Sequence, residues 1–340
     1  MSTADKKIAV IGAGSWGTTL AALLGNKGYS VSLWVREAEL ADAIDSEREN
    51  TFFLPGVRLP DTLSAERSLA EALKGAELVL CSVPSHGIRG VFKEAAEFIE
   101  KDALIVNVSK GIEEGTRLTS CAILRDVLPP YLHDNVVALS GPTFAKEVSR
   151  DLPAAVCVAA HKSENAATVQ EYFSTPTFRV YTNTDPIGVE LGGILKNVIA
   201  LASGISDGLA LGANARAALI TRGLHEIARL GVALGAKEST FYGLSGMGDL
   251  VLTCTDALSR NYTVGTRIGK GEKLNDIIAS MKMVAEGVKT SRPLLDIARE
   301  NNIEMPIVEE VCAILYEGKT PATAVKELMG RELKDEANGL

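Results

Sequence analysis

The sequence predicts an α/β fold in which a doubly wound parallel sheet is followed by an all-α domain. Up to about residue 185, short apolar runs rich in β-branched residues alternate with helical segments, as in parallel sheets covered on both faces. Beyond that point the strand pattern stops, and long helices rich in Ala, Leu and Gly take over. Because 340 residues exceed what one hydrophobic core usually holds, we expect two domains, residues 1–189 and 190–340.

The charged N-terminus is followed by a strand, a glycine-rich turn, a helix and a second strand. Residues 8–11 form a short apolar run, and residues 18–26 have the Ala and Leu content of a helix that Gly28 can end. The second strand is predicted over residues 29–35. These four elements follow one another within about 30 residues, which is the setting in which a glycine motif is informative.

Gly12, Gly14 and Gly17 have the spacing G-x-G-x-x-G, which is typical of Rossmann-type dinucleotide-binding domains. Gly12 is expected to make the tight turn, Gly14 to let the backbone approach a pyrophosphate, and Gly17 to let helix and strand pack closely. Free N–H groups and the positive dipole at the helix N-terminus then favour the phosphates. An ordinary glycine-rich turn is the alternative, and the surrounding strands and helix argue against it.

The remaining elements follow from the same patterns. Further buried strands are predicted from continuous apolar runs at residues 76–83, 103–108, 136–139, 154–160 and 178–181. Helices are predicted at residues 37–49, 91–99, 189–203, 213–233, 237–242, 284–300 and 307–316. Residues 51–56, Thr-Phe-Phe-Leu-Pro-Gly, are expected to form a loop that lies over another part of the protein. The charged tail from residue 331 is expected to fray.

Composition and charge exclude several classes of protein. The formal net charge is −8, and no basic run or cluster of basic and aromatic residues indicates nucleic-acid binding. Five scattered cysteines without C-x-x-C spacing indicate reduced thiols and a cytoplasmic protein. The first seven residues lack the apolar stretch of a signal peptide. The apolar residues 191–211 are interrupted by Lys196, Asn197 and Asp207, so we expect no membrane span.

Polar residues are predicted at the carboxyl ends of two strands, where ligands bind in open α/β sheets. Lys110 comes just after the strand predicted at residues 103–108. Residues 140–145, Ser-Gly-Pro-Thr-Phe-Ala, end the next strand and open a helix, whose N-terminus favours anions. A solvated loop lysine would explain Lys110 equally well.

Lys196 lies inside an apolar helix, residues 191–201, that is otherwise expected to be buried. A buried ammonium is costly unless it is paired or lines a wet cavity, and burial lowers its pKa from about 10.4. A lysine with a lowered pKa can give or take a proton near neutral pH, which makes Lys196 a candidate for proton transfer. The alternative is a lysine at the helix rim whose ammonium reaches solvent.

Two later segments offer a carboxylate and a phosphate site. Asp249 follows the glycine-rich residues 243–248 and is a candidate partner for Lys196, although a plain turn has the same composition. Ser259, Arg260 and Asn261 stand at the apparent start of a helix, where a hydroxyl, a guanidinium, an amide and free N–H groups can bind a phosphate. A simple N-cap by Ser259 or Asn261 is equally consistent. The four histidines form no ligand cluster, and no metal is expected.

Together these segments resemble the bacterial NAD(P)-dependent glycerol-3-phosphate dehydrogenases. The matching blocks are GAGSWG, VSKGIE, SGPTFAKEV, GILKNVIA, GLSGMGDL and LSRNYTVG, followed by Val284-Ala285-Glu286-Gly287. They run in order and with comparable spacing from about residue 6 to about residue 330. The resemblance is therefore far more specific than the glycine motif alone.

The resemblance implies a homodimer that reversibly reduces dihydroxyacetone phosphate to sn-glycerol 3-phosphate with NADPH or NADH and feeds phospholipid synthesis. It implies that Lys196 is the proton donor and acceptor, and that Lys110 and Asp249 surround the reacting end of the substrate. The substrate contacts that it implies are Lys110, Gly141, Thr143, Lys196, Asp249, Ser259, Arg260 and Asn261. The cofactor contacts are Gly12, Gly14, Ser15, Trp16, Gly17, Arg36, Lys110, Ala145, Arg260, Val284 and Glu286.

The end of the second strand bears on the choice of cofactor. NAD-specific domains usually carry Asp or Glu there to hold the ribose 2′-OH. This strand is instead followed by Arg36, whose guanidinium can bind a 2′-phosphate. Glu37 is contrary evidence unless it faces solvent or pairs with Arg36. We therefore expect NADPH to be used at least as well as NADH.

Two other functions are compatible with parts of the pattern. A related two-domain dehydrogenase of the 3-hydroxyacid or 6-phosphogluconate type would have the same architecture and a carboxylate substrate. A cofactor-binding sensor with a degraded site is the second alternative, and the joint presence of Lys196, Asp249 and Arg260 argues against it.

Overall fold

The computed structural model describes residues 3–281, 285–333, 335 and 336. Its strands are β1 (Lys7–Ile11), β2 (Ser30–Trp34), β3 (Glu49–Asn50), β4 (Leu54–Arg58), β5 (Leu63–Glu66), β6 (Ala76–Cys81), β7 (Leu104–Asn107), β8 (Val136–Ser140), β9 (Ala154–Ala159) and β10 (Phe178–Asn183). The helices that accompany these strands are α1 (Ser15–Asn26), α2 (Ala38–Glu47), α3 (Leu69–Leu73), α4 (Ser85–Ala95), α5 (Ser120–Val127), α6 (Ala145–Val148) and α7 (Ser163–Phe173).

The helices that follow the last strand are α8 (Pro186–Gly208), α9 (Gly212–Ala233), α10 (Glu238–Phe241), α11 (Asp249–Thr255), α12 (Arg260–Gly269), α13 (Leu274–Ala279), α14 (Glu286–Glu300), α15 (Pro306–Tyr316) and α16 (Pro321–Met329). A single π-helical turn, Leu244–Gly248, leads directly into α11. The expected change from alternating strands and helices to helices alone is confirmed.

Contacts within the chain divide it into two compact units. The first, which we call the sheet unit, comprises Met1–Ser109 and Leu118–Pro186. The second, the helical unit, comprises Lys110–Arg117 and Ile187–Leu340. The predicted boundary after residue 189 lies a few residues from the observed one, which follows Pro186. The prediction also places Lys110–Arg117 in the first domain, whereas this segment belongs to the helical unit.

The sheet unit contains an eight-stranded sheet in the order β10-β9-β8-β7-β6-β1-β2-β5. The run from Ile8 to Ile11 in β1 is fully buried, and because successive side chains point to opposite faces, both faces of this central strand must be covered. All neighbouring strands pair in parallel except β8 and β9, which are antiparallel. The predicted doubly wound parallel sheet is therefore confirmed, and this one pair departs from it. A parallel connection needs a long crossover, and α6 is a single turn.

The segment after α2 also differs from expectation. Residues 51–56 were expected to be a loop, but β3 and β4 form a small antiparallel sheet that includes Leu54–Arg58. The edge strand β5, Leu-Ser-Ala-Glu, pairs with β2 and has no sequence pattern that predicts it. An edge strand needs few apolar residues, since much of it faces solvent.

The helical unit is built around its own apolar core, to which α8, α9, α14 and α15 contribute most residues. By length and composition α8 is apolar enough to cross a membrane, and 94% of its apolar window is buried inside the structure. A core helix has this composition because it is surrounded by protein on every side. Close backbone contact fixes α8 against α12, since a Cβ at Gly204 would lie 2.1 Å from the carbonyl oxygen of Tyr262.

Candidate active site

The glycine turn of the sheet unit lies between β1 and α1. Gly12 has a φ of +116°, and a Cβ there would lie 2.7 Å from the carbonyl oxygen of Ser82. A Cβ at Gly17 would lie 2.1 Å from the carbonyl oxygen of Gly12. Both glycines are therefore required by the fold itself, one for the turn and one for close packing of the helix on the strand.

Gly14 differs from its two neighbours in the motif. Its φ of −67° and ψ of 173° are open to any residue, and an added Cβ would meet no atom within 4 Å. Gly14 is the N-cap of α1 and brings no side chain to the N–H groups of the first turn. Because the fold does not require glycine here, the space that a Cβ would fill fits the pyrophosphate of a dinucleotide.

The other predicted cofactor residues of the sheet unit lie on separate elements. Ser15 and Trp16 form the first turn of α1. Arg36 lies two residues beyond β2, and both its Nε (3.0 Å) and its Nη2 (2.7 Å) donate to Glu37 Oε1. Glu37 thus pairs with Arg36 rather than standing alone. The pair is exposed, with 79% of the Arg36 side chain and 51% of the Glu37 side chain accessible. Arg36 can therefore readily exchange Glu37 for another anion.

The residues predicted at the end of β8 form a tight turn. Thr143 Oγ1 donates to the carbonyl oxygen of Gly141 (3.2 Å), and Ala145 is the first residue of α6. The helix expected here is only four residues long. A single turn lacks the aligned peptide dipoles that favour an anion, so this part of the prediction is weaker than the sequence suggests.

Four polar side chains of the helical unit form a buried group, which we call the two-lysine cluster: Lys110, Lys196, Asp249 and Thr253. Lys196 Nζ donates to Asp249 Oδ1 and to Thr253 Oγ1, each at 2.5 Å. Lys110 Nζ donates to the other carboxylate oxygen of Asp249 at 2.6 Å. Asp249 has no exposed surface, and the Lys196 side chain is 9% exposed. One buried carboxylate therefore bridges two ammonium groups.

Local backbone geometry brings these side chains together. The π-helical turn before α11 lies against α8, and a Cβ at Gly192 would lie 2.7 Å from the carbonyl oxygen of Ser245 in that turn. Gly192 is one helical turn before Lys196, so this close approach brings the start of α11 next to the lysine. Asp249 and Thr253 are four residues apart on α11 and share one face, with the Thr253 hydroxyl donating to Asp249 Oδ1 at 3.3 Å.

Burial sets the protonation of Lys196. Desolvation lowers the pKa of Lys196 from 10.5 to about 8, while Asp249 opposes that shift and the positive charge of Lys110 adds to it. At such a pKa both protonation states are populated near neutral pH, so the side chain can give and take a proton. Because its ammonium is buried, Lys196 is not a lysine at the helix rim whose ammonium reaches solvent.

The start of α12 carries the three residues predicted to bind phosphate. Ser259 is the N-cap, and its Oγ accepts the backbone N–H of Tyr262 at 3.2 Å. The N-cap alternative is therefore correct for Ser259. Arg260 is exposed and interacts electrostatically with Glu286 at the start of α14. An exposed guanidinium beside a helix N-terminus is suited to a phosphate.

Asn261 is buried and belongs to a relay of hydrogen bonds. Its Nδ2 donates to Asn197 Oδ1 at 2.9 Å, and its Oδ1 accepts the backbone N–H of Gly287 at 2.9 Å. Asn197 Nδ2 donates in turn to the carbonyl oxygen of Lys110 at 3.4 Å. These hydrogen bonds connect the backbone of Lys110, a member of the two-lysine cluster, to Gly287 in the first turn of α14. Val284, a predicted cofactor contact, lies outside the described residues.

Sequence reasoning missed two members of this arrangement, Thr253 and Asn197. The position of Thr253 four residues after Asp249 would have indicated a shared helix face, and Asn197 is the neighbour of Lys196 in a buried helix. Among the described residues, no group of three or more His, Cys, Asp or Glu side chains is arranged to hold a metal ion. The five cysteines are buried thiols, and burial raises the pKa of the Cys157 and Cys312 thiols to about 11.

Comparison with known proteins identifies close relatives of this chain. Family models described as the N-terminus and the C-terminus of NAD-dependent glycerol-3-phosphate dehydrogenase match residues 7–166 and 185–326. A glycerol-3-phosphate dehydrogenase (NAD(P)+) of Citrifermentans bemidjiense is 54% identical over 97% of this chain and 99% of its own length. The enzyme of that name from Geobacter sulfurreducens is 53% identical over 98% of this chain and 99% of its own length.

A solved structure agrees with these relatives. The crystal structure of glycerol-3-phosphate dehydrogenase from Coxiella burnetii has a TM-score of 0.90 and 40% sequence identity, and the match covers 96% of this chain and 99% of that one. Similarity therefore extends through both units of the chain.

Proposed function

This chain belongs to the NAD-dependent glycerol-3-phosphate dehydrogenase family, and on that premise we propose that Lys196 is the proton donor and acceptor of its reaction. The chain is an NAD(P)-dependent oxidoreductase that interconverts dihydroxyacetone phosphate and sn-glycerol 3-phosphate. The observation that carries the proposal is the two-lysine cluster, in which Asp249 is shared by Lys196 and Lys110.

A nicotinamide cofactor held at the glycine turn would, when bound, provide the hydride for the ketone carbon or take it up in the reverse direction. As the carbonyl becomes an alkoxide, the Lys196 ammonium stabilises the developing negative charge and donates a proton from Nζ. Asp249 and Thr253 orient that ammonium by accepting two of its N–H bonds. Lys110 keeps a second positive charge beside the reacting oxygen. In the direction of oxidation, neutral Lys196 accepts the hydroxyl proton.

The substrate phosphate is assigned to Arg260, supported by its exposure and its position at the N-terminus of α12. A phosphate fixed there would hold the carbonyl near Lys196, and positioning of this kind lowers the barrier. Contacts by Ser259 and Asn261 belong to the same assignment, although both also hold the local backbone. Contacts of the substrate with Gly141 and Thr143 stay predictions from the resemblance.

The cofactor is assigned to the glycine turn, with Gly14 and the first turn of α1 holding the pyrophosphate. Arg36 would bind a 2′-phosphate after leaving Glu37, since an exposed ion pair contributes only about 0–1 kcal/mol. NADPH would then be used at least as well as NADH. Contacts of the cofactor with Lys110, Ala145, Arg260 and Glu286, and with Val284 outside the described residues, stay predictions.

The cellular setting and the assembly are further parts of the proposal. Buried thiols and an acidic sequence support a cytoplasmic enzyme without a nucleic-acid partner, whose product would enter phospholipid synthesis. A homodimer is supported by large apolar side chains of the helical unit that are more than 40% exposed, among them Leu211, Val232, Tyr242, Met247, Val251 and Leu258. Light scattering that gives a stable mass near 36.0 kDa would contradict the dimer.

The reaction is tested by oxidation of NADPH and NADH in the presence of dihydroxyacetone phosphate. The matched substrates are unphosphorylated dihydroxyacetone and 2-keto and 3-keto acids. Turnover confined to the phosphorylated ketone supports the phosphate site, and preferred turnover of a keto acid would favour the hydroxyacid type of dehydrogenase instead.

The role of Lys196 is tested with Lys196→Met. We expect kcat to fall by about 10²–10⁴-fold with a much smaller change in the Michaelis constant, because proton transfer belongs to the transition state. Lys319→Met, which removes a surface lysine paired with Glu310 and Glu327, should leave kcat unchanged. A folded Lys196→Met enzyme with nearly normal kcat would overturn the assignment.

A further inference from the structure

The small antiparallel sheet formed by β3 and β4 is tied to the glycine turn by Asn50. Asn50 is fully buried, and its Nδ2 donates to the carbonyl oxygen of Ala13 at 2.8 Å and to Thr18 Oγ1 at 2.8 Å. Thr18 Oγ1 donates to the same carbonyl oxygen at 3.2 Å. The three groups form a closed set of hydrogen bonds inside the sheet unit, so the Ala13 carbonyl is held from two sides.

Holding the Ala13 carbonyl also orients the N–H of Gly14. The two groups belong to one trans peptide, which is planar and directs its C=O and N–H in opposite directions. Because the carbonyl points toward Asn50 and Thr18, the Gly14 N–H points away from them. Gly14 is also the N-cap of α1 and the position where an added Cβ would meet no atom within 4 Å.

We propose that Asn50 is a positioning residue for the cofactor, which holds the Ala13 peptide so that the Gly14 N–H faces the pyrophosphate. This inference rests on the proposed function in one respect, namely that the glycine turn binds the dinucleotide. Asn50 itself touches neither cofactor nor substrate. Its effect is to fix one peptide before the ligand arrives, so that no binding energy is spent on ordering the turn.

Asn50 also has a purely structural contact, and the test must separate the two roles. Its Oδ1 accepts the backbone N–H of Phe53 at 2.9 Å, and Glu49 Oε1 accepts the N–H of Gly56 at 2.8 Å, so these acceptors close the hairpin. Asn50→Asp keeps an acceptor for Phe53 but replaces both N–H donors with a carboxylate oxygen that faces the Ala13 carbonyl. The variant therefore keeps the hairpin contact and loses the contacts with the glycine turn.

The experiment measures NADH affinity of the full-length protein by fluorescence titration, together with kcat and both Michaelis constants. For Asn50→Asp we expect the dissociation constant of NADH to rise at least about tenfold, while kcat at saturating NADH changes less than about twofold. The defect relative to wild type should shrink as the pH falls, because a protonated carboxyl regains one donor. Thr18→Val should also raise the dissociation constant of NADH. This second variant tests the inference if Asn50→Asp does not fold.

The matched control is Thr62→Val. Thr62 Oγ1 donates to the carbonyl oxygen of Gly25 at 2.8 Å, so this variant removes a hydrogen bond to the other end of α1. It should lower the melting temperature without changing NADH affinity. If Asn50→Asp or Thr18→Val likewise changes only the melting temperature, Asn50 is structural and the inference is wrong.

A last variant separates failure of this inference from failure of the proposed cofactor site. Gly14→Val adds a side chain where the fold has room and the pyrophosphate would lie. If Gly14→Val abolishes NADH binding and Asn50→Asp does not weaken it, only the inference about Asn50 fails. If Gly14→Val binds NADH normally, the glycine turn is not the pyrophosphate site and both proposals fail.

Discussion

Asp249→Asn should change the pH dependence of the enzyme more than any other single substitution in the two-lysine cluster. The variant removes a carboxylate whose oxygens lie 2.5 Å from Lys196 Nζ and 2.6 Å from Lys110 Nζ. Removing one partner of a buried ion pair costs about 3–5 kcal/mol, and at 1.36 kcal/mol per unit even the lower end corresponds to about 2 pKa units. The pKa of Lys196, lowered to about 8 by burial in the wild type, should therefore fall to about 6 or below.

The assay is the pH profile of kcat/KM for dihydroxyacetone phosphate with NADH in excess, from pH 5 to pH 10. Reduction needs the protonated lysine, so activity of the wild type should decline as the pH rises through about 8. For Asp249→Asn the decline should be centred at about pH 6 or below, and activity at pH 7.5 should be at least about 20-fold lower.

The control for this profile is Glu226→Gln. Glu226 is buried outside the cluster, and burial raises the pKa of its carboxyl to about 7, so it is another group that titrates in the measured range. Its substitution should leave the profile unchanged. A uniform loss of kcat/KM in Asp249→Asn, with the decline still centred near pH 8, would mean that Lys196 is not the titrating group.

Three further predictions concern other parts of the molecule. Arg260→Ala should weaken use of dihydroxyacetone phosphate by about 1.5–3 kcal/mol and affect unphosphorylated dihydroxyacetone much less, and equal losses in kcat/KM would make Arg260 structural. Arg36→Ala should lower kcat/KM for NADPH by a factor that corresponds to about 1.5–3 kcal/mol, while kcat/KM for NADH stays nearly unchanged. Equal losses with both cofactors, or a wild type that prefers NADH, would refute the assignment of Arg36 to the 2′-phosphate. The third concerns stability: native Glu226 binds its proton more tightly than the unfolded chain, so its contribution is present below about pH 4.5 and is lost as the pH rises through about 7, a change of about 3 kcal/mol. Glu226→Gln should flatten the pH dependence of the melting temperature in that window, and an unchanged slope would contradict the assignment.

Local patterns determined most of the fold from the sequence. The strands β1, β6 and β7 follow from continuous apolar runs, and the glycine turn with α1 follows from a motif whose spacing has a steric cause at Gly12 and Gly17. Lys196 could be singled out because an ammonium inside an apolar helix must find a partner. Each of these inferences depends on residues a few positions apart, and hydrophobic periodicity and turn geometry act over that distance.

The tertiary structure decided which distant partner each polar group takes, including Asp249, which the sequence offered only as a candidate partner for Lys196. Asp249 meets Lys196 across 53 residues and Lys110 across 139, and Asn50 reaches Ala13 across 37. The antiparallel direction of β9 likewise depends on how the chain turns after β8. Periodicity carries no information over such separations, because packing of whole elements, here α8 against the turn before α11, sets the distance between two side chains. The sequence could therefore predict the kinds of residue in the site, while only the folded chain fixed one carboxylate between two lysines.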